Sequence, residues 1–168
     1  MSRLMEASRG VMLLSNSKQP VLMSRHGKAK AIIPEKLVSK AKEIVWTQSV
    51  YHGSNPNLVA SVDFDTLVLQ AHYEQVPAKG STTIHRHGET IIQILEGHGH
   101  SEIQGRIIDW ELGDLVLIPA GAWHRHWCHD EKPAKFLAIS TSRLTKSLLG
   151  REVTDERGYK TYSDLKDE

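Results

Sequence analysis

One cysteine, almost no net charge and no long apolar run mark this 168-residue chain, and each shortage removes a class of protein. Cys128 has no second thiol to pair with, so an internal disulfide is excluded, nothing points to an oxidising compartment, and a cytoplasmic protein is expected. Lysines and arginines number 21 against 20 aspartates and glutamates, so there is no electrostatic case for a nucleic acid or an anionic membrane as partner. Any ligand must therefore be recognised locally. The early apolar run Val11 to Leu14 is too short for a signal-peptide core and lacks a clean small-residue cleavage site. No stretch approaches the roughly 20 apolar residues that span a bilayer. Internal repeats and low-complexity segments are missing too, and the length suits one domain with a continuous core.

What the chain has in plenty is histidine: ten in all, of which eight lie between His72 and His129. Around them the chain divides into three parts. Residues 1–57 read as an irregular arm followed by one amphipathic helix, "PEKLVSKAKEIVW", in which Pro34 suits a first helical position. Leu37, Val38, Ala41, Ile44 and Val45 there repeat at helical spacing. From Leu58 the period changes to short β-like runs between glycine and charged turns. Strands are expected at Leu58 to Phe64, Leu67 to Gln75, Thr82 to His87, Thr90 to Leu95, His98 to Ile103, Arg106 to Trp110, Asp114 to Ile118, Trp123 to His129 and Lys135 to Thr141. Strands this short and this evenly spaced over residues 58–142 predict an all-β sandwich or barrel. In residues 143–168, "RLTKSLLG" predicts a short helix ended by Gly150, and the charged tail beyond it is expected to stay mobile.

On a strand, residues two apart point to the same face, so His85 and His87 aim both imidazoles into one space with Arg86 on the other side. A second pair at the same spacing, His124 and His126, follows about forty residues later, and two such strands facing each other across a barrel bring three or four imidazoles together. Imidazole suits zinc, copper, iron or nickel, and three neutral nitrogens leave positions on an ion for a substrate or dioxygen. His26, His52, His72, His98, His100 and His129 are read as surface or hydrogen-bonded core.

The segment Gly80 to Gly97, "GSTTIHRHGETIIQILEG", resembles the first motif of the cupins, with a glycine, an H-x-H pair, a downstream glutamate and an apolar strand ending in a glycine turn. Gly113 to Cys128, "GDLVLIPAGAWHRHWC", resembles their second motif, with Gly113, Pro119, Gly121 and His124 at the family spacing. The short gap between the two is also like the family's, and paired motifs in order are far more specific than either alone. The resemblance implies a small antiparallel β-barrel of jelly-roll type with a metal near one mouth. Gly97, Gly113 and Gly121 fall at strand ends, where a positive φ is useful.

Two departures from the family pattern bear on the chemistry. The motif's usual glutamate, a fourth and anionic ligand, follows the H-x-H pair after three or four residues; counting back from Gly97 places Thr90 there, with Glu89 one residue earlier. Either Glu89 reaches round the tight turn to join His85, His87 and His124, or the site has three histidines only. Alternation along Thr90, Ile92 and Ile94 excludes Glu89 from the inward face and favours the second. Cys128 stands where the family commonly has asparagine and reads as a buried, inert thiol.

The three-histidine set, with "WHRHW" and "DWELGDLVLIP", is similar to the gentisate 1,2-dioxygenase-like branch of the cupins. That likeness implies an iron(II) centre binding a small hydroxylated aromatic acid and dioxygen side by side. His126 then acts as a proton acceptor or hydrogen-bond partner, or forms a structural hydrogen bond across the barrel. No arginine is placed inside to clamp a carboxylate. A zinc, manganese or nickel cupin working as an isomerase, lyase or decarboxylase, and a non-catalytic ligand-binding cupin, fit the same residues. Trp123 and Trp127 alternate away from His124 as outer packing or an interface, and with the arm they are the residues expected to support a homodimer.

Overall fold

The structure, a computed structural model, describes residues 12–13, 21–22, 33–49, 58–62, 64, 66, 68–150 and 154–167. Most of the expected N-terminal arm lies outside the described residues, apart from an antiparallel pair formed by β1 (Met12–Leu13) and β2 (Val21–Leu22).

Two antiparallel sheets build the domain. The first runs β10 (Leu115–Ile118), β7 (Thr90–Glu96), β12 (Ala134–Ser140), β5 (Gln70–Val76), β4 (Leu58–Val62) and β3 (Thr47–Gln48). The second runs β13 (Asp155–Glu156), β6 (His85–Arg86), β11 (His124–Cys128), β8 (His98–Ile103) and β9 (Arg106–Glu111). Their inner faces share one core: Ile92 and Ile94 of β7, Val116 and Ile118 of β10 and Phe136 of β12 meet Ile103, Trp110 and Cys128 from the opposite sheet. Strict alternation produces this, since β7 buries Thr90, Ile92 and Ile94 and exposes Ile91 and Gln93. Gly97, Gly113 and Gly121 all take positive φ at strand ends, as the sequence predicts. All nine expected strands form, with ends shifted by a few residues, and the jelly-roll arrangement follows.

Two expectations fail. Residues 34–46 do not form the amphipathic helix: the segment holds a single 3-10 turn, Ala41–Glu43, flanked by extended Lys40 and Ile44, and is otherwise irregular. Leu37, Val38 and Val45, meant for the packed face, are 69%, 53% and 72% exposed. A period of two prevails instead at Ile44 to Trp46, which leads into β3 and its pairing with β4 and sets Trp46 near Tyr73, with ring centroids 6.3 Å apart. Ladder hydrogen bonds and this aromatic contact outweigh a helical preference that β-branched residues make weak.

The second failure concerns the tail. The helix α1 (Ser142–Leu149) ends at Gly150 in the left-handed conformation as expected, but residues 154–167 return to the barrel. β13 pairs with β6, Ile84 N–H donates to Gly158 O at 2.8 Å and Ile84 O accepts from Arg157 N–H at 3.0 Å, and Leu165 is 1% exposed in a small core with Ile84 and Trp123. Tyr162 lies against Gly105, where a β-carbon would sit 2.6 Å from the ring, so only glycine admits it. Trp123 is consequently 4% exposed beneath its own chain, with the Arg86 guanidinium 4.4 Å from its ring centre, and outer packing rather than an interface is its role. Trp127 is half-buried, stacked on His100 and covered by Arg125. A docked tail predicts that Leu165→Ala lowers unfolding free energy by about 2–4 kcal/mol in urea titration, whereas a tail loose in solution predicts a change inside about 0.5 kcal/mol.

Candidate metal centre

β6 is only two residues long, yet its position is fixed from both sides, with His85 opposite His124 of β11 in register and opposite Glu156 of β13. His87 follows directly, its carbonyl held by Gly121 N–H at 2.8 Å, so the turn before β11 braces the end of β6. Ring centroids lie 4.2 Å apart for His85 and His124, 4.6 Å for His87 and His124, and 5.4 Å for His85 and His87. One nitrogen from each of these three residues falls within 4.8 Å of the other two.

Hydrogen bonds set the tautomers. His85 Nδ1 meets Thr83 O at 2.9 Å, His124 Nδ1 meets Ala122 O at 2.8 Å and His87 Nδ1 meets Gly88 O at 2.7 Å. A carbonyl only accepts, so each Nδ1 carries the proton and each Nε2 keeps a lone pair. Three buried or half-buried lone pairs aimed at one another repel unless something electron-poor lies between them. This donor set fits a divalent ion of borderline softness. Burial first, and the neighbouring imidazoles second, hold His85 at a pKa of about 4 and His124 well below the ordinary value; burial also lowers His87. All three are neutral at pH 7, as ligation requires.

Glu89 is not brought to this group. Its side chain is exposed, and its carbonyl is held by Thr141 N–H at 2.9 Å at the start of α1, which turns the residue outward. Thr90 takes the inward place, donating from Oγ1 to Gly88 O at 3.0 Å with His87 Nδ1 3.1 Å away.

His126 lies inside beside the trio, its ring centroid 5.5 Å from that of His124, and burial keeps it neutral. Trp110 Nε1–H donates to Ser101 Oγ at 2.9 Å, and Ser101 Oγ lies 2.7 Å from His126 Nδ1. Trp110 can only donate, so the arrangement that uses every group has Ser101 giving its own proton to Nδ1, leaving His126 protonated on Nε2. The outer histidines behave as surface: His98 pairs with Asp130 at 2.7 Å, and His100 with His129 at 2.7 Å.

Three groups in the site escaped the sequence reading. A cavity of about 140 Å³ at the trio is also lined by His72 and Glu74 of β5 and by Glu156 of β13. Alternation along β5 carried the signal for the first two, since His72 and Glu74 share a face with buried Val76. His72 Nε2 stands 4.0 Å from Glu74 Oε2, and burial and His87 lower its pKa to about 4. Glu156 accepts a hydrogen bond from Thr83 Oγ1, and burial raises its pKa. Nothing in the sequence placed Glu156, because it reaches the site only through tail docking.

Residues 72–140 match the family profile of the cupin domain. No protein of curated function matches the sequence. Among solved structures, the fold is similar to a cupin 2 conserved barrel domain protein of Rhodopseudomonas palustris (TM-score 0.57, 22% identity, 74% of this chain and 82% of that one). It is also similar to a cupin-2 domain of Rhodospirillum rubrum (TM-score 0.59, 20% identity, 81% and 88%). A salicylate 1,2-dioxygenase of Pseudaminobacter salicylatoxidans shares the fold at TM-score 0.56 and 17% identity, and the match spans 62% of this chain but 31% of the enzyme. The paired histidine motifs lie on adjacent, hydrogen-bonded strands of the second sheet rather than on strands facing each other across the barrel, and residues 72–140, which hold both, carry a cupin domain.

Proposed function

We propose that this cupin is a mononuclear non-haem iron(II) dioxygenase acting on a small hydroxylated aromatic or related organic substrate. The observation that carries the reading is the convergence of three Nε2 lone pairs, from His85, His87 and His124, with no carboxylate among them. Three neutral ligands preserve the double positive charge of the ion and leave open positions beside it. Bound there, iron(II) would supply the capacity to hold a chelating substrate and dioxygen together. The chain's own groups do the rest: the apolar walls Ile92, Ile118 and Ala138 limit water, and His126, protonated on Nε2, donates a hydrogen bond that orients a substrate oxygen. A dioxygenase with the same fold supports the reading by analogy.

A non-oxidative reaction, with a zinc, manganese or nickel ion polarising a carbonyl, is the second reading. The carboxylates Glu74 and Glu156 on the cavity wall favour it, since either suits a proton acceptor.

The proposal extends to assembly and place. Ile91, Leu115, Leu117 and Ile139 form an exposed apolar row on the outer face of the first sheet, ending at the edge strand β10, and support a homodimer. A lone, buried thiol at Cys128 suits the reducing cytoplasm.

Anaerobic reconstitution is expected to load about one iron per chain, and an oxygen electrode to record uptake with a panel of hydroxylated aromatics. Metal binding without oxygen uptake selects the second reading. Altering a group that only orients a ligand typically costs about 10–100-fold in metal affinity, so His124→Ala is expected to exceed that loss, whereas Glu89→Ala leaves metal content unchanged.

The buried histidines also fix a pH dependence in the metal-free protein. Unfolded histidine takes up a proton near 6.5, but native His85 and His72 do so only near 4. Stability is therefore full above pH 6.5 and falls as pH drops towards 4, by at most about 1.4 kcal/mol per pH unit for each. Urea unfolding at pH 7 and pH 5 measures it, and equal stabilities would mean that these imidazoles are not held neutral.

A further inference from the structure

The pairs His85/His87 and His124/His126 put four imidazoles on the cavity, and nitrogens from only three of them converge. Reach does not exclude the fourth. The His126 ring centroid lies 5.5 Å from that of His124 and 6.4 Å from that of His85, whereas His85 and His87, both in the trio, are 5.4 Å apart. The residue is also held in place: His126 N–H donates to Thr82 Oγ1 at 3.0 Å, and the ring stands edge-on to Phe136 with centroids 5.3 Å apart.

What separates His126 from the trio is the partner of Nδ1. His85, His87 and His124 each face a carbonyl there, an acceptor that obliges Nδ1 to carry the proton. His126 faces the hydroxyl of Ser101 at 2.7 Å, a group able to give or to take. Trp110 decides which. Its Nε1–H donates to Ser101 Oγ at 2.9 Å, and because Ser101 is 0% exposed, its own proton is out of reach of solvent and is satisfied at Nδ1. The same ring atom thus accepts where its three neighbours donate, and the ring edge turned to the cavity presents a proton in place of a lone pair.

From this arrangement we infer that Ser101 is a positioning residue that fixes the ligand count at three: by keeping the proton of His126 on Nε2, it holds a fourth imidazole out of the coordination sphere and leaves that side of the ion to a substrate. The inference rests on the proposed metal centre and concerns the position beside it. An imidazole nitrogen that carries a proton has no lone pair to give a cation. It donates instead, so the ligand atom that meets His126 is an acceptor: a carbonyl, carboxylate or phenolate oxygen. Ser101 lies outside the cavity lining and acts only through His126.

Two measurements on the full-length protein test this. Imidazole nitrogen NMR of the metal-free protein is expected to show wild-type His126 protonated on Nε2, the opposite of His85, His87 and His124. Ser101→Ala releases Nδ1 and is expected to raise the Nδ1-protonated form of His126 several-fold, while Ser101→Thr, which keeps a hydroxyl, retains the wild-type form. Titration with Co(II), whose visible spectrum reports coordination number, is then expected to show one further nitrogen ligand in Ser101→Ala, with affinity raised at least about 10-fold over wild type. Ser101→Ala alone decides where the packed core does not admit the extra methyl of threonine. Wild-type His126 protonated on Nδ1, a Ser101→Ala tautomer equal to wild type, or a tautomer that shifts with no added ligand overturns the inference and leaves the three-histidine centre intact. Failure of the wild-type protein to take up Co(II) overturns the metal reading itself, and the inference with it.

Discussion

Three backbone carbonyls, those of Thr83, Gly88 and Ala122, fix the rings of His85, His87 and His124. Each accepts the Nδ1 proton of one histidine, and the choice of tautomer leaves three Nε2 lone pairs directed inward. All three are backbone groups of the short segments that flank β6, β7 and β11, so no mobile side chain sets the ring orientations. Burial adds the second condition, keeping the imidazoles neutral where protonation would otherwise compete with a metal. The jelly roll serves here as a device for positioning carbonyls, and the histidines inherit their orientation from it.

Around that centre the structure separates two polar systems. One is a buried relay from Trp110 through Ser101 to His126 Nδ1, whose far end, the His126 ring, lines the cavity. The other lines the cavity directly: His72 and Glu74 on β5, and Glu156 on β13 in register with His85. The first fixes the His126 ring in place, and the second adds titratable groups to the cavity wall. This division follows from which strand each residue occupies, since β8, β9 and β11 supply the first system and β5 and β13 the second.

The strands and the three histidines were legible because period-two alternation is a local property, repeated in nearly every strand and punctuated by glycines that do take positive φ. Exclusion of Glu89 was legible for the same reason: Thr90, Ile92 and Ile94 define the inward face, and Glu89 lies off it. The segment around Leu37 to Val45 misled because helical spacing does not by itself bury a face: Leu37, Val38 and Val45 stay exposed, while the pairing of β3 with β4 and the contact of Trp46 with Tyr73 hold the end of the segment. The tail misled differently. A two-residue strand has no periodicity to read, and a single leucine in a charged stretch does not announce itself as an anchor, so Leu165 and with it Glu156 became visible only through tertiary contacts.

The strand β13 closes the second sheet at the edge next to β6, and it leaves the ribosome after every other strand of the barrel. The three histidines come from chain that precedes the tail, and the tail adds the second neighbour of β6: without β13, His85 would keep its pairing with His124 but lose the strand on its other side, and Ile84 and Trp123 would lose Leu165 as cover.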